Sequence, residues 1–196
     1  AELEMAAGRL DAAEVQARTL QAQHPREAEV FRLQGKLAVK RQRPDEALAA
    51  FTQAYTLKKT SDNAIDLHNA YSLAGKPDKA LSFLQDWVAA NPGDLAARRT
   101  LALAFDRAGR LTDAQSQYET LVRQQPDNAA ALNELAYVLL KQRKPGALAL
   151  AEKAYGLASG DAGVADTYGW ALVQDGQIEK GLRYLREAQV RAPNNP

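Results

Sequence analysis

The chain has no cysteine, a single methionine and only two histidines. The first absence excludes disulfides and thiolate metal sites within it. It assigns no compartment, because exported and cytosolic chains alike can lack cysteine. His24 and His68 are widely separated, and neither has a carboxylate or hydroxyl placed with it as a nucleophilic triad requires. No apolar run reaches the roughly 18 residues of a membrane span. An excess of one charge is missing too. The 25 Lys and Arg oppose 24 Asp and Glu, a net of +1, so no bulk field draws the chain to nucleic acid or to an acidic membrane. Val, Ile and Thr are scarce and no stretch sustains a two-residue alternation, which argues against a sheet. The chain starts at Ala1 with no initiator methionine and no signal peptide, so an excised piece of a longer protein is the expectation.

Alanine and leucine dominate instead, with abundant Gln and Arg, a bias toward helix. Hydrophobic residues make up 46% of 196, enough for a continuous core in one domain or a short repeat array. A repeat is present. Pro92 and Pro126 are 34 apart, while Pro25 to Pro92 and Pro126 to Pro193 each span 67. Ala13, Ala47, Ala80, Ala114, Ala147 and Gly181 recur at 34, 33, 34, 33 and 34. Gly8, Gly75, Gly109 and Gly176 form a third column, suited to the left-handed backbone that ends a helix.

One period, Asp94 to Pro126, reads as two helices. Leu95 to Ala108 carries Leu101, Ala104, Phe105 and Ala108 at helical spacing, and Gly109 stops it. Thr112 or Asp113 is the expected cap of the next helix, with Asp11, Asp45 and Asp78 as its counterparts. That helix buries Ala114, Tyr118, Leu121 and Val122 and ends before Pro126. The expected organisation is one array over 1–196. It comprises a partial repeat at 1–27, repeats at 28–60, 61–94, 95–128, 129–161 and 162–193, and a tail at 194–196 that starts a further repeat or a cap.

Period, small residues and closing prolines together resemble the tetratricopeptide repeat family, as do Gly35, Ala102, Ala136 and Gly169 on the first helices. The resemblance covers the whole chain. It implies an all-α, right-handed α-solenoid of antiparallel helix-turn-helix repeats, with first helices lining a concave groove. Groove positions carried over from the family include Arg32, Lys36, Asn69, Leu73, Arg99, Leu103, Arg107, Asn133, Tyr137 and Trp170, with Leu140, Lys141, Asp166 and Gln174 beside the last two. The first full repeat reads as basic and the last two as aromatic. Tyr137 and Trp170 share one register and are the expected hot spot. The bland alternative packs Trp170 on its own second helix near Tyr184. A chaperone-tail clamp is not expected, because Lys36 and Asn69 fall in different repeats and Ile65 stands where a base is needed.

A narrower resemblance rests on Ala131–Leu140, Ala147–Tyr155 and Ala165–Val173. These runs are similar to the C-terminal repeats of the TPR-repeat lipoproteins of bacterial PEP-CTERM/exosortase exopolysaccharide systems. It implies an exported protein of polysaccharide assembly or protein sorting, periplasmic or anchored through a region outside this segment. Without that resemblance a cytoplasmic location is the default.

Three local departures stand out. His68 and Trp87 put bulk where neighbouring repeats carry small or aliphatic residues, so packing in 61–94 should differ. At Arg143-Lys144-Pro145-Gly146 the turn lacks one residue, and Pro145 is expected to open the helix. The cations Lys40, Arg41, Arg43, Lys58 and Lys59 read as helix-end complements in water, not as a nucleic-acid patch. The expected function is a protein-interaction scaffold with a protein or peptide partner, without catalysis, cofactor, metal or membrane contact from this segment. The alternatives are a polysaccharide-binding groove and a non-catalytic arm of a larger enzyme.

Overall fold

Left-handed glycines punctuate the chain where helix meets turn. In the computed structural model, which describes residues 1–192, Gly8, Gly75, Gly109 and Gly176 have φ of 73°, 69°, 72° and 87°. Where the column lacks glycine, Gln42 and Arg143 take the same conformation, at φ 57° and 53°. The turn geometry is therefore kept at the cost of strain in an L-residue. Pro193 and the Asn194–Pro196 tail lie outside the described residues.

Two compact units divide the chain, Ala1–Thr100 and Leu101–Pro196. The first holds α1 (Glu2–Ala6), α2 (Leu10–Gln23), α3 (Ala28–Lys40), α4 (Pro44–Leu57), α5 (Ser61–Leu73), α6 (Pro77–Ala90) and the start of α7 (Leu95–Arg107). The second holds the rest of α7, then α8 (Leu111–Gln124), α9 (Ala129–Lys141), α10 (Ala147–Leu157), α11 (Ala162–Gln174) and α12 (Ile178–Arg191). The described residues contain no strand. The fold is all-α, built of helical hairpins with short connections, which make sequential helices antiparallel.

The small-residue column is where hairpins close. Ala13, Ala47, Ala80 and Ala114 are 0–1% exposed, each at the start of a second helix. In the first unit Ala47 and Phe51 of α4 meet Ala38 of α3 and Leu67 and Ala70 of α5. One hairpin thus completes its core on the next, and burying a ring such as Phe51 contributes about 2–3 kcal/mol. Gly35 gives the ring its room, since a Cβ there would stand 2.6 Å from the Phe51 ring and force it to shift. In the second unit α11 and α12 come closer still. A Cβ on Gly181 would lie 2.7 Å from the Gly169 carbonyl oxygen, and one on Gly169 would lie 3.0 Å from the Gly181 carbonyl oxygen.

Several sequence expectations need correction. Thr112 and Asp113, like Asp11, Asp45 and Asp78, are not N-caps. The second helices begin one or two residues earlier, and the cap positions are Arg9, Arg43, Lys76 and Arg110, without a side-chain cap bond. Pro44 and Pro77 start their helices because their fixed φ suits the first turn. The aspartates sit inside that turn, where they complement the positive helix end. Side-chain caps belong to first helices instead. Thr60, Asn128 and Asp161 accept from the amides of Asn63, Ala131 and Val164. Pro145 does not open α10 either. Gly146, at φ 91°, is the residue before the helix, and α10 runs 11 residues against 14 for α8. Ala108 is exposed beyond the end of α7.

The repeat at 61–94 absorbs its two large residues by hydrogen bonding. His68 is 6% exposed, and its Nδ1–H donates to the Ala80 carbonyl at 2.9 Å, so the imidazole bridges α5 to the first turn of α6. Trp87 packs edge-on to Tyr55 with centroids 5.8 Å apart. His24, by contrast, is exposed at the end of α2.

Candidate functional site

Each unit presents the side chains of its first helices differently. In the first unit, Arg32 of α3 reaches across to α5. Its Nη1 donates to Asp62 at 2.8 Å and its Nε to Asp66 at 2.5 Å. Burial works against this charge, but the two carboxylates outweigh it and hold the guanidinium above its ordinary value. Lys36 pairs with Glu2 of α1 at 2.8 Å, and the hydrogen bond and charge of Lys36 hold the Glu2 carboxyl below its usual range. Arg41 pairs with Asp11 and Glu14, and Lys58 with Glu29. Four of the cations expected to make 28–60 basic, Arg32, Lys36, Arg41 and Lys58, are thus paired with acids of other helices. Asn69, Leu73 and Arg99 are exposed.

In the second unit Leu103 and Asn133 are half-buried and Arg107 is exposed. Tyr137 and Trp170, by contrast, meet at one place. They line a concavity of about 250 Å3 together with Leu140 and Lys141 of α9 and Asp166, Thr167 and Gln174 of α11. The two residues remain 44% and 51% exposed, so neither is consumed by the core. Helical geometry explains the set. Tyr137 and Lys141 are four apart on α9, and Asp166, Trp170 and Gln174 are successive fourth residues on α11. Trp170 also borders a second, wider hollow of about 720 Å3 beside the Arg143–Leu148 turn.

Charge in the smaller concavity is uneven. The Lys141 ammonium lies 5.2 Å from the Tyr137 ring centroid and is bound to Asp106 at 2.5 Å. Asp166 is exposed, yet the crowded wall strips enough water from its carboxyl to push it above its ordinary value.

The aromatic of α11 that packs on the second helix is Tyr168. It stacks on Tyr155 at 5.3 Å and tilts against Tyr184 at 4.7 Å. Trp170 is two residues further on, on the other side of the helix. Among the described residues no group of three or more His, Asp or Glu side chains is placed to hold a metal ion. No described helix is long and apolar enough to cross a membrane.

A family profile for the tetratricopeptide repeat matches residues 1–64 and 99–162. TPR repeat-containing protein PA4667 of Pseudomonas aeruginosa is 29% identical over 168 residues, a span covering 83% of this chain and 28% of that protein. The chain therefore spans a little over a quarter of that relative's length. Among solved structures, a crystal structure of MamA protein aligns with a TM-score of 0.67 at 17% identity, covering 84% of this chain and 91% of that one. A MamA AMB-1 structure aligns with a TM-score of 0.67 at 21% identity, covering 84% and 99%. At such identities the likeness is one of fold. With its profile match spanning most of the sequence, this chain belongs to the tetratricopeptide repeat family of protein-interaction scaffolds.

Proposed function

We propose that the chain holds an extended segment of a partner protein against its first helices, with the Tyr137–Trp170 concavity as the anchor. One observation carries this reading. Two large aromatic side chains stay about half exposed around one concavity, while the other aromatics of α10, α11 and α12 pack among themselves. An exposed aromatic pair has no folding role that explains it, and such residues dominate binding energy at interfaces. Arg32, Lys36, Asn69, Leu73, Arg99, Leu103, Arg107 and Asn133 are proposed as further contacts on the same kind of face. The ion pairs of Arg32 and Lys36 make those two weaker contributors.

The proposal extends to the parent protein. The residue runs in α9, α10 and α11 are the support for an exported bacterial protein of exopolysaccharide assembly or protein sorting. A second reading, a polysaccharide-binding groove, is favoured by the same rings, since indole and phenol faces stack on sugars and Asn133, Asp166 and Gln174 offer hydrogen bonds.

The test is site-specific photo-cross-linking of the full-length protein in its native host. A cross-linker at exposed Gln174 should yield a discrete protein adduct, lost in Trp170→Ala, and one at exposed Glu119 of α8 should not. Equal adducts at both positions, or an adduct indifferent to Trp170→Ala, would sink the proposal. A glycan array responding to Trp170→Ala, with no protein adduct, would favour the polysaccharide reading.

A further inference from the structure

Two groups in the concavity are unused, and both attract the same ligand. Asp166 has no hydrogen bond or ion pair among the described residues, and the one cause that moves its carboxyl is loss of water. Trp170, one turn further along α11, carries no cation on its indole among the described residues. Indole is the strongest cation–π acceptor among side chains. The cation that lines the concavity, Lys141, is already committed, because it is held by Asp106 and leans over Tyr137; Arg143 and Lys144 line the adjoining hollow that Trp170 also borders. The charged side chains lining the concavity are Lys141 and Asp166, and because Asp106 already neutralises Lys141, the Asp166 carboxylate is the charge left uncompensated. Its volume of about 250 Å3 lies below the range of about 300–1,000 Å3 usual for small-molecule sites and suits a single side chain.

We propose that this concavity is a receptor for an arginine side chain of the partner. The inference rests on the groove reading above and adds its chemistry. A guanidinium is planar, so it can lie flat on the Trp170 indole while its edge donates two parallel hydrogen bonds to the Asp166 carboxylate. Lysine satisfies the charge but not the flat stack. A sugar satisfies the stack and the hydrogen bonds but gains nothing from the charge.

The chain contains two tryptophans, and they make a built-in probe pair. Trp87 has its indole N–H bound to Asp94, so it reports nonspecific effects. Indole N–H resonances of the 15N-labelled full chain would be followed at low salt during titration with acetyl-Gly-Arg-Gly-amide and with its neutral citrulline counterpart. The Trp170 resonance should move saturably with the arginine peptide while Trp87 stays still. The citrulline peptide should bind at least about tenfold more weakly. Asp166→Asn, at an exposed position that leaves the fold intact, should abolish that preference.

Equal response to both peptides, or an arginine preference that survives Asp166→Asn, overturns the inference and leaves the groove reading standing. Absence of any Trp170 response also overturns it, whereas the groove reading is judged by the native-host cross-link, which needs no arginine.

Discussion

The indole of Trp87 donates its Nε1–H to the Asp94 carboxylate at 2.7 Å. Asp94 also accepts from the Ser61 hydroxyl at 2.8 Å and from the Ala97 amide at 3.0 Å. One carboxylate thereby ties the end of α6, the start of α5 and the first turn of α7 together. The large residue that departs from its repeat column is there because it has a polar partner seven residues on.

Asp94 should make the protein acid-sensitive. Burial pushes its carboxyl up, but the hydrogen bonds from Ala97, Trp87, Ser61 and Ala96 outweigh this and hold it below its ordinary value. A depressed carboxyl contributes stability that is complete above the unfolded value of about 3.9 and disappears as pH falls through the folded one. Denaturant unfolding at pH 6 and pH 3 should therefore show a smaller loss on acidification in Asp94→Asn than in the parent. At pH 6, Trp87→Phe should cost about 1 kcal/mol or more, the hydrogen bond plus lost contact.

Gly181→Ala should destabilise the second unit by roughly 1–3 kcal/mol. The added methyl would meet the Gly169 carbonyl oxygen, which is backbone and yields only if α11 and α12 part. Thermal unfolding reads this directly. An unchanged midpoint would mean that the two helices separate at no cost.

Gln42→Gly and Arg143→Gly should each stabilise by about 1 kcal/mol, because glycine relieves the left-handed strain that an L-residue carries there. Both residues stand in turns where other repeats place glycine. The effects should add in the double variant, the sites being far apart in sequence and in different units. Denaturation midpoints check both statements.

Arg32 and Asp66 should couple by roughly 0.5–1 kcal/mol in a double-mutant cycle, with the coupling shrinking in 1 M salt. The Arg32 and Asp66 side chains are 28% and 20% exposed, which places the pair between a surface and a buried bridge. A coupling of zero at low salt would show that Asp62 alone satisfies Arg32.

Much of this protein was written in local sequence. Helix ends are short-range events, so Gly8, Gly75, Gly109 and Gly176 announced them, and the column from Ala13 to Gly181 marked where hairpins close. The caps of the second helices were misplaced for the same reason. Asp45 and Asp78 carry a cap-like side chain, but the proline before each begins the helix earlier. The expected all-α hairpin fold followed from periodicity alone, because a 3.6-residue stripe and a left-handed stop leave few alternatives.

What tertiary structure alone decided was partnership. Arg32 could have met any of many acids; only the placement of α3 against α5 selects Asp62 and Asp66, about 30 residues away. The same holds for Lys141 and Asp106. Trp170 and Tyr168 are two residues apart and equally aromatic, yet one is enclosed by Tyr155 and Tyr184 while the other faces a concavity with Tyr137. Sequence put Asp166 and Trp170 one turn apart on one helix. Only the fold, by committing Lys141 to Asp106, left that carboxylate and that indole without a cation among the described residues.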